Sequence, residues 1–265
     1  MITSKTQLNA VIGNPIGHSK SPVLHNALYE QLGIDAVMLA FSGNNVRRLI
    51  AGIKGLNIGL TAVTIPFKQS VLPYLDSIDR RAKVMKSVNT IINKDGRISG
   101  YNTDIDGIAL ALKGVNLKGK NVLILGAGGA ARAATYFCKL SKAKIFYFSR
   151  TLLKAQNLRR EFGGTVLGLN QILSVNFGLI VNATPVGMHP NANNSPIQKN
   201  VFKKNQYVFD LVYNPRHTKF LKDAKSMGAK TISGVEMFVG QALKQIELYS
   251  GKKTVNLVNF AKNIL

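Results

Sequence analysis

The chain has 265 residues, with 35 Lys and Arg against 12 Asp and Glu for a net charge of +23, and 46% of its residues are apolar. That length has room for about two domains, each able to bury a core. The composition excludes a disordered polar chain, the absence of a long apolar run excludes a bilayer span, and the single cysteine, Cys138, excludes an intrachain disulfide.

The opening residues, Met1-Ile2-Thr3-Ser4-Lys5, lack the apolar core of a signal peptide, so the expected location is the cytoplasm. A strand is predicted over residues 8–13. Ser21-Pro22 reads as a helix N-cap followed by proline at the first helical position, opening a helix over about 23–32. A strand near 36–41, a helix near 46–53 and a strand near 59–65 continue the alternation, which predicts a mainly parallel sheet covered by helices. Residues 88–92 and 98–101, joined through Asp95-Gly96, have the pattern of a hairpin.

Three polar segments fall between these elements. Gly13 to Pro22 places the hydroxyls of Ser19 and Ser21 in a loop ending at a helix N-terminus, which suits a carboxylate. Thr61 to Lys68 ends a strand with a lysine. Ser87 to Thr90 and Gly100 to Asp104 supply amide, hydroxyl and carboxylate groups. Taken singly, Lys68 also reads as a surface lysine at a helix start, Asp104 as a helix cap before Gly107, and Asn89 as a turn residue.

A helix near 107–113 leads into the most informative stretch. The apolar run 121–125 feeds into Gly126-Ala127-Gly128-Gly129-Ala130-Ala131, followed by a helix over 132–140 and a second buried strand over 144–148. In such a βαβ unit Gly126 permits the tight turn, Gly128 lets backbone amides approach a pyrophosphate, and Ala131 allows close packing of helix on strand. The helix aims its positive end at the phosphates. An NAD site would place an acid about twenty residues on to hold the ribose hydroxyls, but no carboxylate occurs between Asp106 and Glu161. Arg150, with Thr151 and Lys154, stands there instead and suits a 2'-phosphate, which favours NADP over NAD. The competing reading is that Arg150 and Lys154 are solvated charges in a basic protein.

Cys138 falls in the apolar pattern of the helix after the glycines and reads as a buried structural thiol. Further elements are a helix over 152–162, strands over 179–182 and 208–212, a helix over 219–227, and closing helices over 235–249 and 255–264. The four histidines are scattered, read as structural or exposed, and form no metal-ligand cluster. The positive charge is spread without a dense run, so it reads as a general field for anionic ligands, with nonspecific nucleic-acid binding as a side effect.

Nine motifs then stand in one order along nearly the whole chain: His18-Ser19-Lys20-Ser21-Pro22, Val63-Thr64-Ile65-Pro66-Phe67-Lys68, Val88-Asn89-Thr90, Asn102-Thr103-Asp104, Gly126-Ala127-Gly128-Gly129-Ala130, Ser149-Arg150-Thr151, Asn182-Ala183-Thr184-Pro185, Asp210-Leu211-Val212-Tyr213-Asn214-Pro215, and Gly234 with Met237 and Gln241. In this the chain resembles the shikimate dehydrogenase family. The resemblance implies an α/β fold with a mainly parallel substrate domain over 1–106, a Rossmann-type NADP domain over 107–234, and C-terminal helices over 235–265 returning to the first domain. It implies reversible, NADPH-dependent reduction of 3-dehydroshikimate to shikimate in aromatic amino-acid (chorismate) biosynthesis, without a metal.

By the same resemblance Lys68 and Asp104 are the catalytic pair. Ser19, Ser21, Thr64, Asn89, Tyr213 and Gln241 join them in holding the substrate. Gly126, Ala127, Gly128, Gly129, Ala130, Ser149, Arg150, Thr151, Lys154, Ala183, Thr184, Leu211 and Gly234 approach the cofactor. The expected partner is the small-molecule substrate, with no specific nucleic acid and no membrane, and the expected state is a monomer or homodimer. Three positions depart from the family's pattern. Ala62 stands where Asn or Ser is usual, which removes one polar contact; Arg80 stands where many members have an acid; and Ser149 replaces a common Asn, which weakens an adenine-side contact. A quinate/shikimate dehydrogenase using NAD is the nearest alternative, and the missing ribose-binding acid argues against it. A noncatalytic NADP-binding or nucleic-acid-binding protein is the other, and the retention of both Lys68 and Asp104 argues against that.

Overall fold

Strands and helices mostly alternate along the computed structural model, which describes residues 2–265. In chain order they are β1 (Gln7–Gly13), α1 (Ser21–Leu32), β2 (Ala36–Ser42), α2 (Val46–Gly55), β3 (Leu60–Val63), β4 (Ser77–Ile78), α3 (Arg80–Met85), β5 (Thr90–Lys94), β6 (Arg97–Tyr101), α4 (Asp104–Ala111), β7 (Asn121–Leu125), α5 (Gly129–Leu140), β8 (Lys144–Phe148), α6 (Leu152–Phe162), β9 (Thr165–Val166), α7 (Leu169–Ile172), β10 (Leu179–Asn182), β11 (Tyr207–Asp210), α8 (Lys219–Ser226), β12 (Lys230–Ile232), α9 (Gly234–Ser250) and α10 (Val258–Ile264). They fall into two units, one ending at Gly107 and resumed by Val239–Leu265, the other Ile108–Phe238. No described helix is long and apolar enough to cross a membrane.

The first unit holds a six-stranded sheet in the order β2-β1-β3-β5-β6-β4. β1 runs parallel to β2 and β3, and β4 to β6, while β5 is antiparallel to both β3 and β6. The sheet is therefore mixed where the β5–β6 hairpin enters it. Its turn residues Asp95 and Gly96 have φ of 52° and 83°, the paired positive values that a two-residue type I′ turn requires. Ile50 and Ile53 of α2 pack with Ala10, Ile12, Val63 and Ile91 to form the core on one side, and the Asn45 side chain caps that helix by accepting from Arg48 N at 3.1 Å.

Ser21 is not the N-cap of α1. Leu24 N already bonds to Lys20 O at 3.0 Å, so Lys20 takes the cap position with no side-chain cap bond and Ser21 is the first helical residue. Pro22 then sits in the first turn, where its missing N–H leaves no bond unmade. α4 starts at Asp104, earlier than its apolar pattern indicates, because Asn102 Oδ1 accepts from Asp104 N at 3.1 Å and Thr103 O from Asp106 N and Gly107 N, each at 3.1 Å.

The second unit holds six strands in the order β12-β11-β10-β7-β8-β9, all parallel. From the other edge, their rank along the chain is the doubly wound order of a dinucleotide-binding sheet, reversing between β7 and β10. Central strands of such a sheet are covered on both faces. Accordingly β10 is buried throughout, and Leu123, Leu125, Ile180, Val208 and Phe220 pack in one cluster. The reversal opens a crevice at the carboxyl ends of β7 and β10.

Gly96 has φ of +83°, and a Cβ added there would meet nothing within 4 Å, so Gly96→Ala brings backbone strain and no clash. It should cost about 1 kcal/mol of stability, read as a lowered urea midpoint, with turnover unchanged.

Candidate active site

In the first unit three chain segments are tied together by backbone bonds. Val88 N donates to Lys68 O at 2.7 Å, Val63 N to Asn89 O at 2.7 Å, and Asn89 N to Tyr101 O at 3.0 Å. These bonds bring Lys68, after β3, beside Asn89, before β5, and Asp104, at the start of α4. Lys68 Nζ donates to Asp104 Oδ2 at 2.6 Å, with the two side chains only 15% and 4% exposed. The other carboxylate oxygen, Oδ1, accepts from Asn89 Nδ2 at 2.8 Å. The same amide reaches Thr103 Oγ1 at 3.0 Å and Gln241 Oε1 at 3.1 Å. Asp104 therefore does not cap its helix, and Lys68 is no surface lysine. Removing one member of such a buried pair leaves an uncompensated charge, a loss of about 3–5 kcal/mol.

The serine loop and the loop after β3 lie side by side at the carboxyl ends of the parallel strands β1 and β3. Thr64 N bonds to Ile12 O at 3.0 Å and Asn14 N to Ile65 O at 2.9 Å. A Cβ on Gly13 would stand 2.6 Å from Thr64 Cγ2 and 3.1 Å from Ile65 O, so only glycine allows this approach. Ser21 N donates to Ser19 Oγ at 3.3 Å. Among the described residues no hydrogen bond joins the Ser19 or Thr64 side chains to the Lys68–Asp104 cluster. Tyr213 belongs to the second unit, where its ring stacks on Phe238 with centroids 4.1 Å apart. Ala62 packs with Val11 and Ile16 in a small apolar cluster, and Arg80 opens α3 as an exposed residue. Sequence reasoning missed Gln245 and His25 and gave Thr90 no role beyond its place in the Ser87 to Thr90 segment; all three are buried in the network around this cluster. The signal available was the spacing of Gln241 and Gln245, four residues apart and hence on one helix face.

In the second unit Gly126 follows β7 with φ of +102°, and a Cβ there would lie 2.8 Å from Thr184 Cγ2 and 3.2 Å from the Ala183 backbone. The glycine loop thus touches the end of β10 across the crevice. Gly128 caps α5 without a side-chain bond and has open space around it, with Ala127, Gly129 and Ala130 beside it. Thr151 is the N-cap of α6, also without a side-chain bond. Arg150, Thr151 and Lys154 are exposed, Ser149 is half-buried, and among the described residues neither Arg150 nor Lys154 has an ion-pair partner. Crevice, open helix start and unpaired cations fit a phosphorylated dinucleotide.

Past β10 and β11 a buried polar clasp holds two loops. Asn182 Oδ1 accepts from Thr184 N at 3.0 Å and Thr184 Oγ1 at 2.6 Å, and its Nδ2 donates to Asp210 Oδ1 at 2.9 Å. Asp210 also accepts from Val212 N at 3.0 Å and Thr218 Oγ1 at 2.5 Å. Burial pushes its carboxyl up to about 7, against the opposing pull of those hydrogen bonds. A Cβ on Gly234 would stand 2.6 Å from Val212 O and 2.7 Å from Leu211 O, so glycine lets α9 begin against the end of β11. Cys138 is buried, and burial pushes its thiol up to about 12, as befits a structural residue.

Two family descriptions match the chain: "Shikimate dehydrogenase substrate binding domain" over residues 11–91 and "Shikimate / quinate 5-dehydrogenase" over residues 109–232. A shikimate dehydrogenase (NADP(+)) of Methanococcus maripaludis is 42% identical over 267 residues, spanning 96% of this chain and 94% of that protein. The crystal structure of shikimate dehydrogenase from Aquifex aeolicus matches with a TM-score of 0.92 at 36% identity, covering 100% of this chain and 99% of that one. The shikimate 5-dehydrogenase of Thermus thermophilus, solved in complex with NADP(H) and shikimate, matches with a TM-score of 0.87 at 32% identity, covering 98% and 100%.

The clasp at Asp210 predicts a pH dependence of stability. An unfolded aspartate titrates near 4 and this one near 7, so between those values the folded chain holds a proton that the unfolded chain releases. The resulting stabilisation is full below about 4 and is lost as the pH rises toward about 7. Urea unfolding of the wild type should therefore weaken across that interval relative to Asp210→Asn. A difference between the two that stays constant with pH would show the carboxylate to be ionised throughout.

Proposed function

The chain belongs to the shikimate dehydrogenase family, and on that premise we propose how its own residues carry the family's reaction. It is an NADP-dependent oxidoreductase that reduces 3-dehydroshikimate reversibly to shikimate, a step of aromatic amino-acid (chorismate) biosynthesis. The observation that carries the reading is the Lys68–Asp104 contact of 2.6 Å, largely withdrawn from water.

When bound, NADPH supplies the hydride that reduces the ring ketone. Lys68 donates a proton to the ketone oxygen; in the reverse direction it takes the ring hydroxyl's proton as the neutral amine, or stabilises the alkoxide as the ammonium. An ammonium has three donors; with one directed at Asp104 Oδ2, two remain for the substrate. Asp104, with Oδ1 held by Asn89, fixes the direction of the lysine and orients the reacting hydroxyl. Ser19 and Ser21 take the substrate carboxylate near the start of α1, and Thr64, Asn89, Tyr213 and Gln241 take the ring. Gly126, Ala127, Gly128, Gly129 and Ala130 hold the pyrophosphate; Ser149, Arg150, Thr151 and Lys154 hold the phosphorylated ribose; and Ala183, Thr184, Leu211 and Gly234 border the nicotinamide. Residues 1–106 with 235–265 thus act as the substrate domain and 107–234 as the cofactor domain. The net charge of +23 attracts both anionic reactants, and the reading includes a cytoplasmic monomer or homodimer with no specific nucleic-acid partner.

Lys68→Met keeps most of the stem and deletes the ammonium. Turnover of shikimate with NADP, followed by nicotinamide absorbance, should fall by roughly two to four orders of magnitude, with much smaller changes in either affinity. Near-native turnover in a folded variant would remove Lys68 from the chemistry.

Arg150→Ala should raise the KM for NADP far more than that for NAD, because guanidinium bonds to a phosphate are charge-assisted. Equal effects on the two cofactors would place the 2'-phosphate elsewhere.

A further inference from the structure

Below the Lys68–Asp104 pair a file of buried polar side chains runs through the first unit. Gln245, one helical turn beyond Gln241 on α9, donates its Nε2 hydrogens to Asn89 O at 3.2 Å and Thr90 Oγ1 at 3.0 Å. Thr90 Oγ1 donates in turn to Asn89 Oδ1 at 2.8 Å, which also accepts from Thr103 N at 2.7 Å. Gln245 Oε1 lies 3.0 Å from His25 Nε2, and His25 Nδ1 lies 2.9 Å from Ser21 O. His25, Thr90 and Gln245 are fully buried, and Asn89 is 1% exposed.

Each donor in this file dictates the next. Asn89 Nδ2 has two hydrogens and three acceptors around it, and the Asp104 carboxylate, which can only accept, keeps the nitrogen on that side. The amide is also oriented from its oxygen side, by Thr103 N–H and by the hydroxyl hydrogen of Thr90. Gln245 donates to that hydroxyl and so leaves its hydrogen for Asn89 Oδ1 at 2.8 Å, the nearer acceptor, or Thr103 Oγ1 at 3.2 Å. Inverting the Gln245 amide would draw the Thr90 hydrogen away and set an oxygen against Asn89 O. With both hydrogens of Gln245 engaged, its oxygen requires a donor, and His25 Nε2–H is the one present. Burial holds the imidazole down to about 4, so near neutral pH the ring is uncharged and acts by its single hydrogen. On Nε2 that hydrogen serves Gln245 Oε1 and leaves Nδ1 facing the Ser21 carbonyl, 2.9 Å away and able only to accept; on Nδ1 it would serve that carbonyl and release Gln245, so the tautomer reports which contact governs.

We propose that His25 and Gln245 are positioning residues that lock the Asn89 amide, which in turn fixes the Asp104 carboxylate against Lys68. The proposal rests on the reading of Lys68 and Asp104 as the catalytic pair.

The test uses the full chain, with shikimate and NADP as substrates. His25→Leu and Gln245→Met fill the space without the hydrogen bonds, His25→Asn keeps a polar group too short to reach Gln245, and His25→Gln restores a donor. The first three should lower kcat by about 10- to 100-fold, the scale expected of a misplaced reacting group, while both KM values move much less and His25→Gln recovers most of the loss. In a Lys68→Met background His25→Leu should have little further effect, because residues acting as a unit are not additive. Nitrogen NMR of the His25 ring should show the Nε2–H tautomer. Unchanged kcat in folded His25→Asn, a His25→Gln as impaired as His25→Leu, losses that multiply in the Lys68→Met background, or an Nδ1–H ring would each overturn the proposal. If His25→Leu or Gln245→Met does not fold, His25→Asn against His25→Gln decides the matter. A wild-type chain that does not turn over shikimate overturns the catalytic-pair reading itself, a failure seen before any variant is compared.

Discussion

An ammonium and a carboxylate drawn largely out of water must be held together, because either one alone would be left as an uncompensated charge. In this protein the organisation of the first unit around Lys68 and Asp104 follows from that constraint. Asn89 is the residue on which it converges: its backbone joins β3 and β6, its side-chain oxygen is held from two sides, and its amide nitrogen meets Asp104. A polar node so fully engaged in a buried setting is rigid, since each unmade bond would cost desolvation with nothing in return.

The second unit answers a different demand, the need for bare backbone. Where the strand order reverses, Gly126 and the end of β10 come so close that a methyl group would collide with Thr184. The neighbouring loops cannot be stiffened by bulk there, so they are stiffened by hydrogen bonds. Asn182 and Asp210 serve this purpose, each binding groups on the segments just beyond the strand ends.

The second unit was the more legible in the sequence. Its central strands β7, β10 and β11 are buried almost throughout, so runs such as Val122-Leu123-Ile124-Leu125 stand out, and the glycines between strand and helix carry the geometry with them. The Asp95-Gly96 hairpin was legible for a similar reason, because few residue pairs accept two positive φ values. Strands β4, β9 and β12 span two or three residues each, too few to display a period, and α3 depends on the Asp79 side chain accepting from Arg81 N and Ala82 N. The start of α1 was misplaced because serine before proline has the local chemistry of a cap, whereas the helix closes its first turn on Lys20. The motifs identify Lys68, Asn89, Asp104 and Gln241, which the fold joins by hydrogen bonds. His25 stayed hidden, since its partner Gln245 is 220 residues away and nothing local marks the histidine as half of a pair.

The first unit is discontinuous along the chain, and this sets an order of events during synthesis. Asn89 and Gln245 are separated by 156 residues, so a ribosome adding about 5–20 residues per second delivers the glutamine roughly 8–30 s after the asparagine. Throughout that interval Asn89, Thr90 and His25 have left the peptidyl-transferase centre while their partners on α9 do not yet exist. The intervening residues 108–238 are consecutive, and all six strands of their sheet are made before α9 is complete. Lys68, Asp104 and the residues that hold them therefore gain their last partners only when α9 is made, and this buried polar cluster stays incomplete in a nascent chain until its translation is nearly over.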